Sequence, residues 1–192
     1  MIRWWWVRHG PTRQKALAGW RDVPADLSDT PRLERLASAL PESAPVISSD
    51  LVRAVATADA IAGRRPRLPH SPALREIHFG EWEGLTHDEI AARDPALSRR
   101  YWEEPGEIAP PGGESWNAAA ERVARFVAGM NARHRDADII AVAHFGVILT
   151  QVRQALAITP QQALAHRIDP LSLTRIDWNG SRWEARMINH HP

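Results

Sequence analysis

The chain of 192 residues contains no cysteine, which excludes disulfides, thiolate metal sites and a cysteine nucleophile, and leaves the redox compartment undetermined. Long apolar runs are missing as well. The stretch Trp4 to Val7 falls far short of the ~20 residues a membrane span needs and lacks the charged and cleavage regions of a signal peptide, so a cytoplasmic location is expected. Nor is there an excess of charge: 24 basic and 23 acidic residues give a formal +1. That is too weak a field to gather nucleic acid or an acidic membrane, so any anion must be held locally. Every basic side chain except Lys15 is arginine, whose planar fork matches phosphate oxygens. No His-Glu-x-x-His pattern occurs, and His78, His87, His134, His190 and His191 have no spacing that suggests a metal site, so neither metal nor cofactor is expected. Internal repeats and low-complexity segments are also missing.

What is present reads as one compact domain over residues 1–192, long enough to bury about 70% of the surface its unfolded form exposes. Ile2 to Val7 is an aromatic and β-branched run that stops at Arg8-His9-Gly10-Pro11, the pattern of a strand followed by a tight loop. A helix starts at Asp29-Thr30-Pro31, and Pro45 to Ser48 is a short buried strand. Asp50 stands where it can cap the next helix, whose Leu51, Val55, Ala58 and Ile61 recur at helical spacing until Gly63. Arg64-Arg65-Pro66-Arg67 opens an irregular stretch as a solvated turn. A helix resumes over Thr86 to Ala92, and Glu104 to Gly113 is loop. Trp116, Ala120, Val123, Val127 and Met130 trace a long amphipathic helix. Ala137 to Ala143 is a continuous apolar run, suited to a strand buried on both faces, and a helix follows His144-Phe145-Gly146. Asn179-Gly180 joins two closing antiparallel strands. Strands alternating with helices predict an α/β fold: a three-layer sandwich with a mostly parallel sheet, helices on both faces and an antiparallel edge strand.

Ligands of open α/β sheets bind at the carboxyl ends of strands, and two of the predicted strands end in a histidine closely followed by glycine. His9 follows the first strand, with Thr12 able to donate a hydroxyl to a phosphate oxygen. Neutral imidazole is a competent nucleophile toward phosphorus, and the guanidinium of Arg8 helps keep His9 unprotonated. Arg53 stands at the start of a helix, where its fork and the helix terminus can both address an anion. His144 ends the buried strand and can stabilise charge on transferring oxygens.

These segments resemble the histidine phosphatase superfamily, which includes cofactor-dependent phosphoglycerate mutases and many small phosphatases. The resemblance is carried, in order, by Arg8-His9-Gly10-Pro11-Thr12, Gly19-Trp20 with Asp26-Leu27-Ser28, Ser48 to Ala54, Leu74 to Gly84, Pro111 to Ser115, and Ala143 to Gly146. It implies that His9 is the nucleophile, that Arg8, Arg53 and His144 surround the phosphoryl group, and that Glu76 is the proton donor. Glu81 and Glu83 are nearby rivals or relay partners. Where many members carry an asparagine to hold the phosphate, this chain has Lys15, which either supplies a point charge to the same oxygens or points into solvent.

The implied activity is that of a metal-independent phosphomonoesterase acting on a small organic phosphate through a phosphohistidine. The expected pocket wall comprises Trp20, the segment around Phe79 and Trp82, and the Pro111 to Ser115 loop. Two alternatives remain open at this point: a phosphoglycerate mutase-type transfer and a phospho-ligand binding module without catalysis. The short spacing between the Glu76 and Gly-Gly-Glu-Ser segments favours the phosphatase over the mutase.

Overall fold

The computed structural model describes residues Met1–Pro192. Strand β1 (Ile2–Arg8) is followed by helix α1 (Thr30–Ala39), strand β2 (Val46–Ser48) and helix α2 (Val52–Ala62). Helices α3 (His87–Arg93), α4 (Pro95–Glu103) and α5 (Trp116–Arg133) come next. The chain then runs through β3 (Asp138–Ala143), α6 (Phe145–Leu156), α7 (Pro160–Leu164), β4 (Leu173–Trp178) and β5 (Trp183–His190). The sheet has the order β2-β3-β1-β4-β5. Strands β2, β3 and β1 are parallel, β4 pairs antiparallel with β1 and β5 antiparallel with β4, a mostly parallel sheet with antiparallel pairing at one side, as the sequence pattern predicts.

Period-two alternation divides the β1 side chains between two cores. Trp4 and Trp6 stack on one face, ring centroids 5.2 Å apart, in the same core as Ile139 and Ala141 of β3, Val123 and Val127 of α5, and Val147 of α6. Trp5 and Val7 face the opposite way, with Ile140 and Val142 of β3, Leu33 and Leu36 of α1, and Ala54, Ala58 and Ile61 of α2. Helices thus cover both faces of the sheet. No helix is long and apolar enough to cross a membrane.

This layering fixes where a ligand can enter. After β1 the chain departs towards the face covered by α1, whereas after β3 it turns into α6 on the other face. The two strands are neighbours, with Arg8 opposite Ala143. Loops that leave adjacent parallel strands on opposite sides open a crevice between them. The His9 N–H donates to the Ala143 carbonyl at 3.1 Å, which extends the ladder by one residue and sets His9 beside His144.

Several local expectations are corrected. Asp50 does not cap α2; Leu51 holds that position, and the Asp50 carboxylate instead accepts both prongs of Arg75, at 2.8 and 2.6 Å. A bidentate charged pair is worth more than a single cap bond. Arg65 is no solvated residue: it donates to the carbonyls of Ala37 and Leu40 at the end of α1, of Pro41, and of Ile61 at the end of α2. A planar cation with several donors can gather the free carbonyls of two helix ends. Helices α4 and α7 are additions to the predicted elements. Each starts with proline at its first position, after Asp94 and after the capping-box residue Thr159.

Candidate active site

His9 is 6% exposed, and both ring nitrogens have partners with a single role. Nδ1 lies 2.7 Å from the Gly10 carbonyl, which only accepts, so this nitrogen carries the proton. Nε2 lies 3.3 Å from Arg53 Nε, which only donates. The neutral ring therefore holds its lone pair on Nε2. Burial, then the positive charges of Arg53 and Arg8, push the His9 pKa down from 6.5 to about 3, against the opposing Gly10 bond. The ring of His144 is centred 5.0 Å from that of His9 and is fully buried, and neither of its nitrogens has a protein partner. Burial, followed by the neighbouring His9, Arg53 and Arg8, holds it well below the ordinary imidazole value. Buried polar atoms are normally paired, so two unpaired nitrogens beside the His9 ring are an exception within the fold.

Arg53 is 1% exposed in the first turn of α2. The small, fully buried Ala54 and Ala58 let that helix approach the sheet. Thr57, one turn on, accepts the Gly10 N–H at 2.9 Å and donates to the Arg53 carbonyl at 2.7 Å, which ties the helix to the His9 loop. The remaining Arg53 nitrogens donate to the carbonyls of Arg21 and Gly19, at 2.9 and 2.6 Å. Its guanidinium is thus fixed before any anion arrives. Arg8 donates to the Ile168 carbonyl at 2.6 Å, lies 5.4 Å over the Phe145 ring and keeps an unpaired Nε.

The Glu76 carboxylate accepts the Gly146 N–H of α6, at 3.0 and 3.1 Å to its two oxygens, and the Ile77 N–H at 3.0 Å. Gly146 has to be glycine for this: a Cβ there would lie 2.6 Å from Glu76 Oε1. The Glu76 backbone is braced by Trp20 Nε1 at 2.7 Å and by Arg122, which also pairs with Glu114 and donates to the Ala73 and Arg75 carbonyls. Behind this segment Gly80 (φ 53°) meets the Pro111 to Gly113 backbone so closely that a Cβ would lie 2.1 Å from the Pro111 carbonyl oxygen.

A cavity of about 290 Å³ joins these groups, lined by Arg8, His9, Thr12, Arg53 and Glu76 among others. His144, fully buried against the His9 ring, is not itself part of this lining. Several of the other expected contributors stand elsewhere. Lys15 is exposed and outside the lining, where its neighbour Gln14 takes the place; a flexible, strongly hydrated ammonium is better served by water. Trp20 packs edge-on to His78 at 4.4 Å under the Arg75 guanidinium and braces Glu76 from behind. The Pro111 to Ser115 loop and the fully buried Trp82 likewise support the Glu76 segment from outside the cavity. Of the rival carboxylates, Glu81 pairs with Arg93 on the surface, and Glu83 accepts the Trp20 and Phe79 N–H groups at 2.7 and 3.3 Å.

Residues 4–191 match the profile of the histidine phosphatase superfamily, branch 1. The chain belongs to this superfamily. It is 36% identical to glucosyl-3-phosphoglycerate phosphatase of Mycolicibacterium vanbaalenii over 156 residues, 74% of this chain and 68% of that protein. It is 27% identical to adenosylcobalamin/alpha-ribazole phosphatase of Escherichia coli over 196 residues, 98% of this chain and 96% of that one. Among solved structures, YhfR of Bacillus stearothermophilus superposes with a TM-score of 0.89 at 27% identity, covering 97% of this chain and 96% of its own.

In this histidine phosphatase part of the cavity lining comes from residues that the sequence did not assign to the site. Tyr101 and Trp102 stand on the last turns of α4, His87 opens α3, and Phe145 and Leu164 come from α6 and α7. A signal for α4 was available: Pro95 after Asp94, then Leu97 and Tyr101 at helical spacing.

Proposed function

We propose that this histidine-type phosphatase hydrolyses small phosphate monoesters in two steps, with His9 Nε2 as nucleophile and Glu76 as the acid and base. Arg8, Arg53, Thr12 and His144 hold the phosphoryl oxygens and stabilise the charge they gather. Nε2 attacks phosphorus, the bond to the leaving oxygen breaks, and that oxygen takes a proton from the Glu76 carboxyl. Water then attacks the phosphohistidine, gives a proton to Glu76, and the Nε2–P bond breaks to release phosphate. The observation that carries this reading is the tautomer of His9, whose lone pair lies on the nitrogen that Arg53 addresses.

The test is hydrolysis of an aryl phosphate in the presence of chelator by the parent, His9→Ala and Glu76→Gln. Turnover by the parent should survive chelation, His9→Ala should lose at least about 10³-fold in kcat, and Glu76→Gln should accumulate an acid-labile phosphoenzyme. Undiminished turnover in His9→Ala defeats the mechanism.

A further inference from the structure

The lining of the cavity is unequally charged along its length. Its formally charged members are Arg8, Arg53 and Glu76, and all of them gather at the His9 end. Because Glu76 holds the proton that the leaving oxygen takes, the two guanidiniums carry the net charge there when the ester binds. A phosphate dianion matches that charge, so a second anion on the same substrate would find no cation left in the lining to receive it.

The rest of the lining offers rings and aliphatic groups, Leu17, Phe79, Tyr101, Trp102, Phe145 and Leu164, with His87 beside Trp102. Trp102 is half-buried and held edge-on between His87, at 5.3 Å, and Tyr101, at 4.8 Å. Tyr101 in turn meets Phe79 and Trp82 edge-on, at 6.4 and 5.4 Å. Such a lattice holds each ring in place, so the wall suits an apolar, ring-bearing group and costs little ordering when one binds. An anion pressed against it loses hydration and gains no partner, a penalty that the rest of the contact does not offset.

We infer that the substrate is the phosphate monoester of an uncharged, ring-bearing alcohol or phenol, and that this chain rejects esters whose leaving group carries a second anion. The inference rests on the phosphatase reading above and adds the leaving-group class to it. It also disfavours the mutase alternative, since a phosphorylated sugar acid brings a carboxylate that this lining does not receive.

A matched pair of substrates isolates the charge: 4-carbamoylphenyl phosphate and 4-carboxyphenyl phosphate are nearly the same size and differ by one negative charge. At pH 8, where an ordinary imidazole is neutral, kcat/KM for the amide should exceed that for the carboxylate by about tenfold or more, with most of the difference in KM. Trp102→Arg places a cation in the wall and should narrow or invert the ratio. Equal turnover of the two esters by the parent, or a preference for the carboxylate as would follow if Lys15 swung over the mouth, overturns the inference while leaving the phosphatase reading intact. Failure to hydrolyse either ester sinks both.

Discussion

At one end of the cavity Arg53, His9 and His144 leave the ends of buried strands and the first turn of a buried helix, and their side chains are 0–6% exposed. At the other end Tyr101 and Trp102 ride on α4, a short helix outside the sheet layers that connects through ring contacts. The first region is fixed by backbone pairing: each Arg53 nitrogen already has an acceptor, and the His9 ring is clamped on both sides. The second is fixed by packing alone. In the proposed mechanism, chemistry that needs sub-ångström placement is thus built on the sheet, whereas the proposed recognition of the leaving group falls to a helix that can change sequence without disturbing His9.

The sharpest way to break this contrast is to remove the anchor of the first region. Arg53→Ala should lower kcat/KM by about 10²–10³-fold, and by the same factor for every ester tested; a loss confined to some leaving groups would show that the two ends are not separable. A smaller change probes Glu76, the proposed proton donor. Gly146→Ala puts a methyl 2.6 Å from Glu76 Oε1 and 2.8 Å from Ile77 Cδ1, so the carboxylate must move, and kcat should fall on the order of tenfold to a hundredfold with KM less affected. An unchanged kcat would mean that Glu76 is not position-sensitive.

The smallest effect concerns stability. His9 takes up a proton in the unfolded chain below pH 6.5 but in the folded chain only near pH 3, and His144, also held well below the ordinary imidazole value, acts in the same sense. The unfolded state therefore binds more protons over this window, so stability is level above pH 6.5 and is lost as pH falls towards 3. Carboxylates with lowered values, such as Asp169 at about 2, contribute only at lower pH. Thermal unfolding between pH 7.5 and 4.5 should show a falling Tm. His144→Asn should make that fall shallower and Trp102→Ala should leave its slope alone; a Tm that does not fall across the window contradicts the burial of neutral histidines.

The same contrast explains what could be read in the sequence. Residues 2–9 and 137–144 are legible because strand, strand end and ligand crevice follow from periodicity and topology, which require no knowledge of distant partners. The resemblance supplied Glu76, whose role depends on a Gly146 N–H far along the chain. Trp20 was misplaced because an aromatic next to a phosphate loop gives no sign of which side it packs on, and here the Glu76 carbonyl and the Arg75 guanidinium draw it behind the site. Lys15 carried the charge expected of a phosphate ligand but not the geometry. Tyr101 and Trp102 were missed because a wall held by ring contacts leaves no motif. Asp50 and Arg65 show the same limit, since each serves partners that only the fold brings near.

The Gly10 carbonyl has a consequence for the lifetime of the proposed intermediate. Because it retains the Nδ1 proton throughout, phosphorylation at Nε2 turns a neutral ring into a phosphorylated imidazolium, and the bond to phosphorus is weakened by the positive charge on the departing nitrogen. In the proposed mechanism a single main-chain oxygen thereby favours breakdown of the covalent adduct, and the ring returns to its resting state without exchanging a proton with anything.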